Sequence, residues 1–102
     1  MLQINSGEIA EKTKQGCVYL QFSATWCGPC KTLKKTVESI EDEYENIEFL
    51  FLNIDDCDND ILKKFDVRAV PHSCYLKDGS VVTESKGMLN LSKLKLKLDE
   101  LV

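Results

Sequence analysis

The chain has 102 residues, 43% of them hydrophobic and 29% charged, and a net charge of −4. That length suits a single domain, expected to run from residue 1 to 102, with a core that needs neither disulfides nor a structural metal to hold it. No apolar run approaches the ~20 residues that cross a bilayer, and acids and lysines interleave without forming a basic stripe, so membrane and nucleic-acid partners are disfavoured. Residues 1–15 lack the apolar core of a secretory signal, which makes an intracellular, cytoplasmic protein the expectation. Five cysteines cannot all pair within one chain, and in a reducing compartment they point to redox or metal chemistry.

In chain order, Ser6 is a candidate N-cap for a short helix ending before Gly16. Residues 17–22 (CVYLQF) form an apolar run of strand length, expected to be covered on both faces. Leu33, Val37, Ile40 and Tyr44 then fall on one helical stripe, predicting a long amphipathic helix. Residues 47–54 (IEFLFLNI) read as a second strand, and the acids between Asp55 and Asp60 offer caps for a helix through Ile61, Leu62 and Phe65. After Pro71, residues 73–76 and 81–83 flank Asp78-Gly79 as an antiparallel hairpin. The final segment is ambiguous: Leu94, Leu96 and Leu98 alternate like a strand, whereas Leu91, Leu94, Leu98 and Leu101 form a helical stripe behind the cap Asn90. The longer stripe favours a helix. A βαβα half followed by a ββα half implies an α/β fold with a central mixed sheet and helices on both faces.

Right-handed crossovers put the loop after residues 17–22 at the carboxyl end of the parallel strands, where open α/β sheets keep their sites. That loop holds Trp26-Cys27-Gly28-Pro29-Cys30. Two cysteines three apart at a helix start bring their sulfurs within bonding reach, and the helix end favours the thiolate of the first. Cys27 is thus the candidate nucleophile and Cys30 the candidate resolving thiol. Gly28 and Pro29 are expected to set the turn, Pro29 having no N–H to lose there. Trp26 reads as a flat apolar wall beside the sulfur or, alternatively, as a core aromatic. Cys-x-x-Cys is also half of a zinc site, but Cys57, His72 and Cys74 are not spaced as its second pair, so no metal is predicted there.

The segment Phe22-Ser23-Ala24-Thr25-Trp26-Cys27-Gly28-Pro29-Cys30-Lys31 resembles the active-site stretch of eukaryotic thioredoxins. The likeness extends along the chain: Val67-Arg68-Ala69-Val70-Pro71 resembles the segment that carries the family's cis-proline, Lys77-Asp78-Gly79 its hairpin, and Gly87 the glycine before its last helix. The resemblance implies the thioredoxin fold, a substrate groove bordered by Val70 and Pro71, and a cis peptide bond at Pro71. It also implies protein-disulfide reductase activity with no cofactor beyond the Cys27–Cys30 disulfide, disulfide-containing protein substrates and recharging by a thioredoxin reductase. A single domain suggests a monomer. The competing reading is a binding subunit of the same fold whose redox chemistry is incidental.

Several residues depart from the family pattern. Gln21 stands where thioredoxins commonly have a buried Asp thought to take the proton of the resolving cysteine, and Phe51 stands where bacterial members have a nearby Lys. Gln cannot accept a proton, so deprotonation of Cys30 is expected to rely on water, on the Cys27 leaving sulfur or on another base. His72 replaces the usual Thr after Pro71, and reads either as an ordinary surface residue or as a groove residue that tunes Cys27. Lys35 replaces a helix-kinking proline, which predicts a straighter helix. Cys57, among acids, is expected to be structural with a raised pKa, and Cys17 and Cys74 to be small buried hydrophobes.

Overall fold

The computed structural model describes residues 1–102. Its elements are β1 (Leu2–Gln3), α1 (Ile9–Thr13), β2 (Cys17–Ser23), α2 (Gly28–Ile40), β3 (Ile47–Asn53), α3 (Asn59–Lys64), β4 (His72–Lys77), β5 (Ser80–Lys86) and α4 (Leu91–Leu101). The five strands form one sheet in the order β1-β3-β2-β4-β5. β2 lies at its centre, parallel to β3 and antiparallel to β4, and this is why its sequence is a continuous apolar run rather than an alternating one.

Strand periodicity divides the side chains between two cores. Val18, Leu20 and Phe22 point to one face with Leu50, Leu52, Cys74 and Leu76, where Ile9 and Phe65 cover them. Tyr19, Phe49 and Tyr75 point to the other, packed against Leu33, Val37 and Ile40 of α2 and Leu94, Leu98 and Leu101 of α4. The ambiguous last segment is therefore a helix. The face that could have been a strand edge is simply wet, with Leu96 63% exposed and Leu94 and Leu98 fully buried. Asn90 caps α4, its side chain accepting from the Lys93 N–H at 2.9 Å. No helix is long and apolar enough to cross a membrane.

The α/β fold stands as expected, with differences at element ends. β1 is absent from the expected βαβα pattern because a two-residue strand leaves no periodicity to read, yet it pairs in parallel with Leu50 and Phe51. The first cap is Asn5 rather than Ser6: the Glu8 side chain accepts from the Asn5 N–H at 3.0 Å, and a single 3₁₀ turn leads into α1. α2 ends at Ile40, and Tyr44 continues its stripe only in space, packing on the same core while its hydroxyl donates to Asp99 at 2.9 Å. β4 and β5 run longer than the apolar signal because their ends are polar. Between them Asp78 and Gly79 both take positive φ, 50° and 87°, a tight hairpin turn for which glycine at the second position is well suited.

Candidate active site

Cys27 sits at the carboxyl end of the central strand, at the N-cap of α2, with an extended backbone (φ −92°, ψ 106°). Its sulfur accepts from the Cys30 N–H at 3.2 Å, and Pro29 occupies the first turn, where its missing N–H costs nothing. Cys27 and Cys30 have Cα atoms 5.3 Å apart and form a disulfide in the structure. When the bond is reduced, the same N–H and the helix end stabilise negative charge on Cys27. Cys27 is 5% exposed and Cys30 2%, so an approaching disulfide meets Cys27 first.

Gly28 corrects one expectation. It has no positive φ and a Cβ added there would meet nothing within 4 Å, so the backbone does not require glycine. Trp26 is no core aromatic: it is 70% exposed, with its indole N–H donating to Asp55 at 3.2 Å. The other oxygen of Asp55 accepts from the Thr25 hydroxyl at 3.0 Å, and the bonds from Thr25 and Trp26 hold its carboxyl below the usual carboxylate range. Asp55 thus fixes the Trp26 wall, a role the sequence did not reveal because Asp55 is one of several acids in a run.

Val70 and Pro71 close the other side. Their peptide bond is cis, and the Val70 carbonyl lies 3.9 Å from the Cys27 sulfur. Behind them the Gly87 N–H, on a backbone with φ 83°, donates to the Pro71 carbonyl at 2.8 Å. His72 departs from both readings. It is neither a surface residue nor a groove residue, being 1% exposed, with its ring edge-on to Phe22 and Nε2 3.2 Å from Glu84. The strand turns each successive side chain to the opposite face, so His72 follows Phe22 into the core covered by α1 and α3, away from α2 and the sulfurs of its N-terminal turn.

Beneath Cys30 runs a buried polar chain. The Tyr19 hydroxyl shares a hydrogen bond with Ser73 Oγ at 2.9 Å and donates to Gln21 Oε1 at 3.0 Å. Gln21 Nε2 in turn donates to Ser23 Oγ at 2.9 Å and to the Cys30 carbonyl at 3.2 Å. Gln21, fully buried, ties β2 to the first turns of α2 with every polar atom satisfied. Tyr19 was invisible as a polar residue from sequence, since an aromatic in an apolar run reads as core. Burial pushes its hydroxyl well above the ordinary phenol range.

Phe51, beside Gln21 in the sheet register, lies under Lys34 Nζ at 4.3 Å from its ring centre. Together with Ser23, Cys30 and Asn53 they line a cavity of about 340 Å³ that reaches Cys30 but not Cys27. The remaining cysteines are free. Cys74 is fully buried, while Cys17 and Cys57 are half-buried, so Cys17 is less enclosed than expected. Burial, then the adjacent Asp58, pushes the Cys57 thiol up, the expected direction with burial as the larger cause.

A family model described as Thioredoxin matches residues 4–100. Human thioredoxin is 40% identical over 85 residues, covering 83% of this chain and 79% of its own, and sheep thioredoxin is 39% identical over the same span. Rabbit thioredoxin is 34% identical over 95 residues, covering 93% of this chain and 89% of its own. Among solved structures, a chain from a study of thiol resolution in yeast mitochondrial 1-Cys peroxiredoxin via the glutathione and thioredoxin systems superposes with a TM-score of 0.86. That chain is 25% identical, with 98% of this chain and 94% of that one covered.

Proposed function

This chain belongs to the thioredoxin family and is a thiol–disulfide oxidoreductase, and from that premise we propose that Cys27 is its attacking thiolate and Cys30 its resolving thiol. The observation that carries the assignment is the Cys30 N–H aimed at the Cys27 sulfur from the first turn of α2. The Cys27 thiolate attacks one sulfur of a protein disulfide, forming a mixed disulfide and expelling the other sulfur as a thiolate. Cys30, one turn along, then attacks Cys27. The Cys27–Cys30 disulfide forms, the substrate's second thiolate leaves, and two electrons have passed from the dithiol to the substrate.

Trp26, Gly28 and Pro29 border the approach, and Val70 and Pro71 form the opposite wall of the substrate groove. Gln21 supports Cys30 through its carbonyl and accepts no proton, so water takes the Cys30 proton in this chain, a reading supported by the cavity that reaches Cys30 and Ser23. The redox centre is the cysteine pair and no external cofactor takes part. Residues 1–102 form one domain, a reading supported by the single sheet with a core on each face. It works as a monomer recharged by a thioredoxin reductase, and three unpaired cysteines suit a reducing, cytoplasmic setting.

Insulin reduction driven by dithiothreitol tests the proposal. Wild type is expected to accelerate it well above the dithiothreitol background, and Cys27→Ser to abolish the acceleration. Equal rates for the two proteins would overturn it.

A further inference from the structure

A second group of metal-ligating side chains lies on the hairpin, apart from the redox pair. His72 and Cys74 are two residues apart on β4 and so share a face, and Glu84 is the direct cross-strand partner of Cys74 on β5. Their ligand atoms all lie within 4.8 Å of one another. From this cluster we infer a zinc-binding site, with His72 Nε2, Cys74 Sγ and a Glu84 carboxylate oxygen as three protein ligands and a fourth position open to water. Imidazole, thiolate and carboxylate together are a donor set suited to a borderline divalent ion.

The spacing fits. Two ligands held at about 2.0–2.1 Å in a tetrahedron stand about 3.3 Å from each other, and His72 Nε2 and Glu84 Oε2 are 3.2 Å apart. Cys74 and His72 are held by the sheet and enclosed, 0% and 1% exposed, while the Glu84 side chain is 38% exposed and already turned toward His72. β5 is the edge strand, so the ion enters from solvent past Glu84. Charge also balances: a neutral imidazole, a thiolate and a carboxylate exactly offset two positive charges, so the enclosed site carries no net charge when filled. Lys86 approaches Glu84 at Oε1, 3.9 Å away, and leans equally on Asp66 at 3.7 Å, leaving Oε2 to the ion.

Binding transfers no electrons. The Cys74 S–H bond breaks, the sulfur–zinc bond forms, and one proton leaves to solvent for each ion bound. This site is independent of the disulfide chemistry: it lies on the opposite face of the sheet and uses neither Cys27 nor Cys30.

The test uses the full chain with Cys27 and Cys30 oxidised, so that pair offers no thiolates. Zinc titrated against a chromophoric chelator is expected to bind at one equivalent per chain, and cobalt(II) in its place to give a near-ultraviolet thiolate charge-transfer band. Cys74→Ala is expected to remove both signals, and Glu84→Gln, at a half-exposed position, to weaken zinc by at least about tenfold. If Cys74→Ala fails to fold, the cobalt thiolate band of the wild type, recorded after the half-buried Cys17 and Cys57 have been alkylated, decides instead, since Cys74 is then the one free thiol left. Failure to bind at one equivalent, a cobalt spectrum without a thiolate band, loss of that band once Cys17 and Cys57 are alkylated, or undiminished binding in Glu84→Gln would each overturn the assignment.

Discussion

Replacing Gln21 by Leu isolates what the amide contributes, because the two side chains are similar in size and only the hydrogen bonds are lost. Gln21 makes three of them, to Tyr19, Ser23 and Cys30, with no exposure to water. At about 1 kcal/mol net each, their loss costs about 3 kcal/mol. Stripping a donor from the Cys30 carbonyl adds to that, while the more apolar Leu side chain offsets a similar amount. Tyr19 is spared the full penalty, since its hydroxyl keeps Ser73 at 2.9 Å. A loss of that size lowers the melting temperature of a domain this large by about 12–24 °C. Urea unfolding of the oxidised protein measures it, with the midpoint falling and the slope unchanged. Combining Gln21→Leu with Tyr19→Phe should cost less than the sum of the two, because both delete the same bond. A loss below about 1 kcal/mol, or strict additivity in the double variant, would refute the claim that this buried chain ties β2 to α2.

Two further outcomes depend on titration. Burial raises Cys74 from 9.0 to about 12 and Tyr75 from 10.0 to about 12, so the folded chain holds protons that the unfolded chain releases. Their stabilising contribution is intact below pH 9 and is lost as the pH climbs toward 12. In the presence of a chelator, stability should fall across that window, and Cys74→Ala should flatten the fall; identical slopes would contradict the account. Asp55 has the opposite sign, its lowered value giving a contribution present above the unfolded carboxylate range and lost as the pH drops below it. Trp26 fluorescence should therefore shift under acid conditions, and Asp55→Asn should abolish the shift; a shift that persists would place its origin elsewhere.

The sequence was most legible where one physical demand acted on a whole segment. Residues 17–22 needed two buried faces and so read as a central strand, and Cys27 to Cys30 carried their chemistry in their spacing. It was least legible where partners come from distant segments. Nothing local distinguishes Asp55 from Asp56, since only the fold brings Asp55 to Trp26. Tyr19 shows no polar role until Ser73 lies beside it on β4, 54 residues away. His72 failed for a related reason: its nearness to Pro71 in sequence suggested the groove, but strand alternation turned it into the opposite core, where Glu84 becomes its neighbour. β1 escaped because its two residues are held by pairing with β3 rather than by any pattern of their own.

The division of labour between the two cysteines is the central claim, and trapping tests it most directly. Cys30→Ser, reduced and mixed with a disulfide-containing protein, should accumulate a covalent adduct through Cys27, because the attack proceeds and the resolving step cannot. Cys27→Ser should form none at a comparable rate, Cys30 being the more enclosed sulfur. Peptide mapping that places the adduct at Cys27 is the predicted result; an adduct formed equally well by Cys27→Ser, or carried by Cys57 or Cys17, would contradict it.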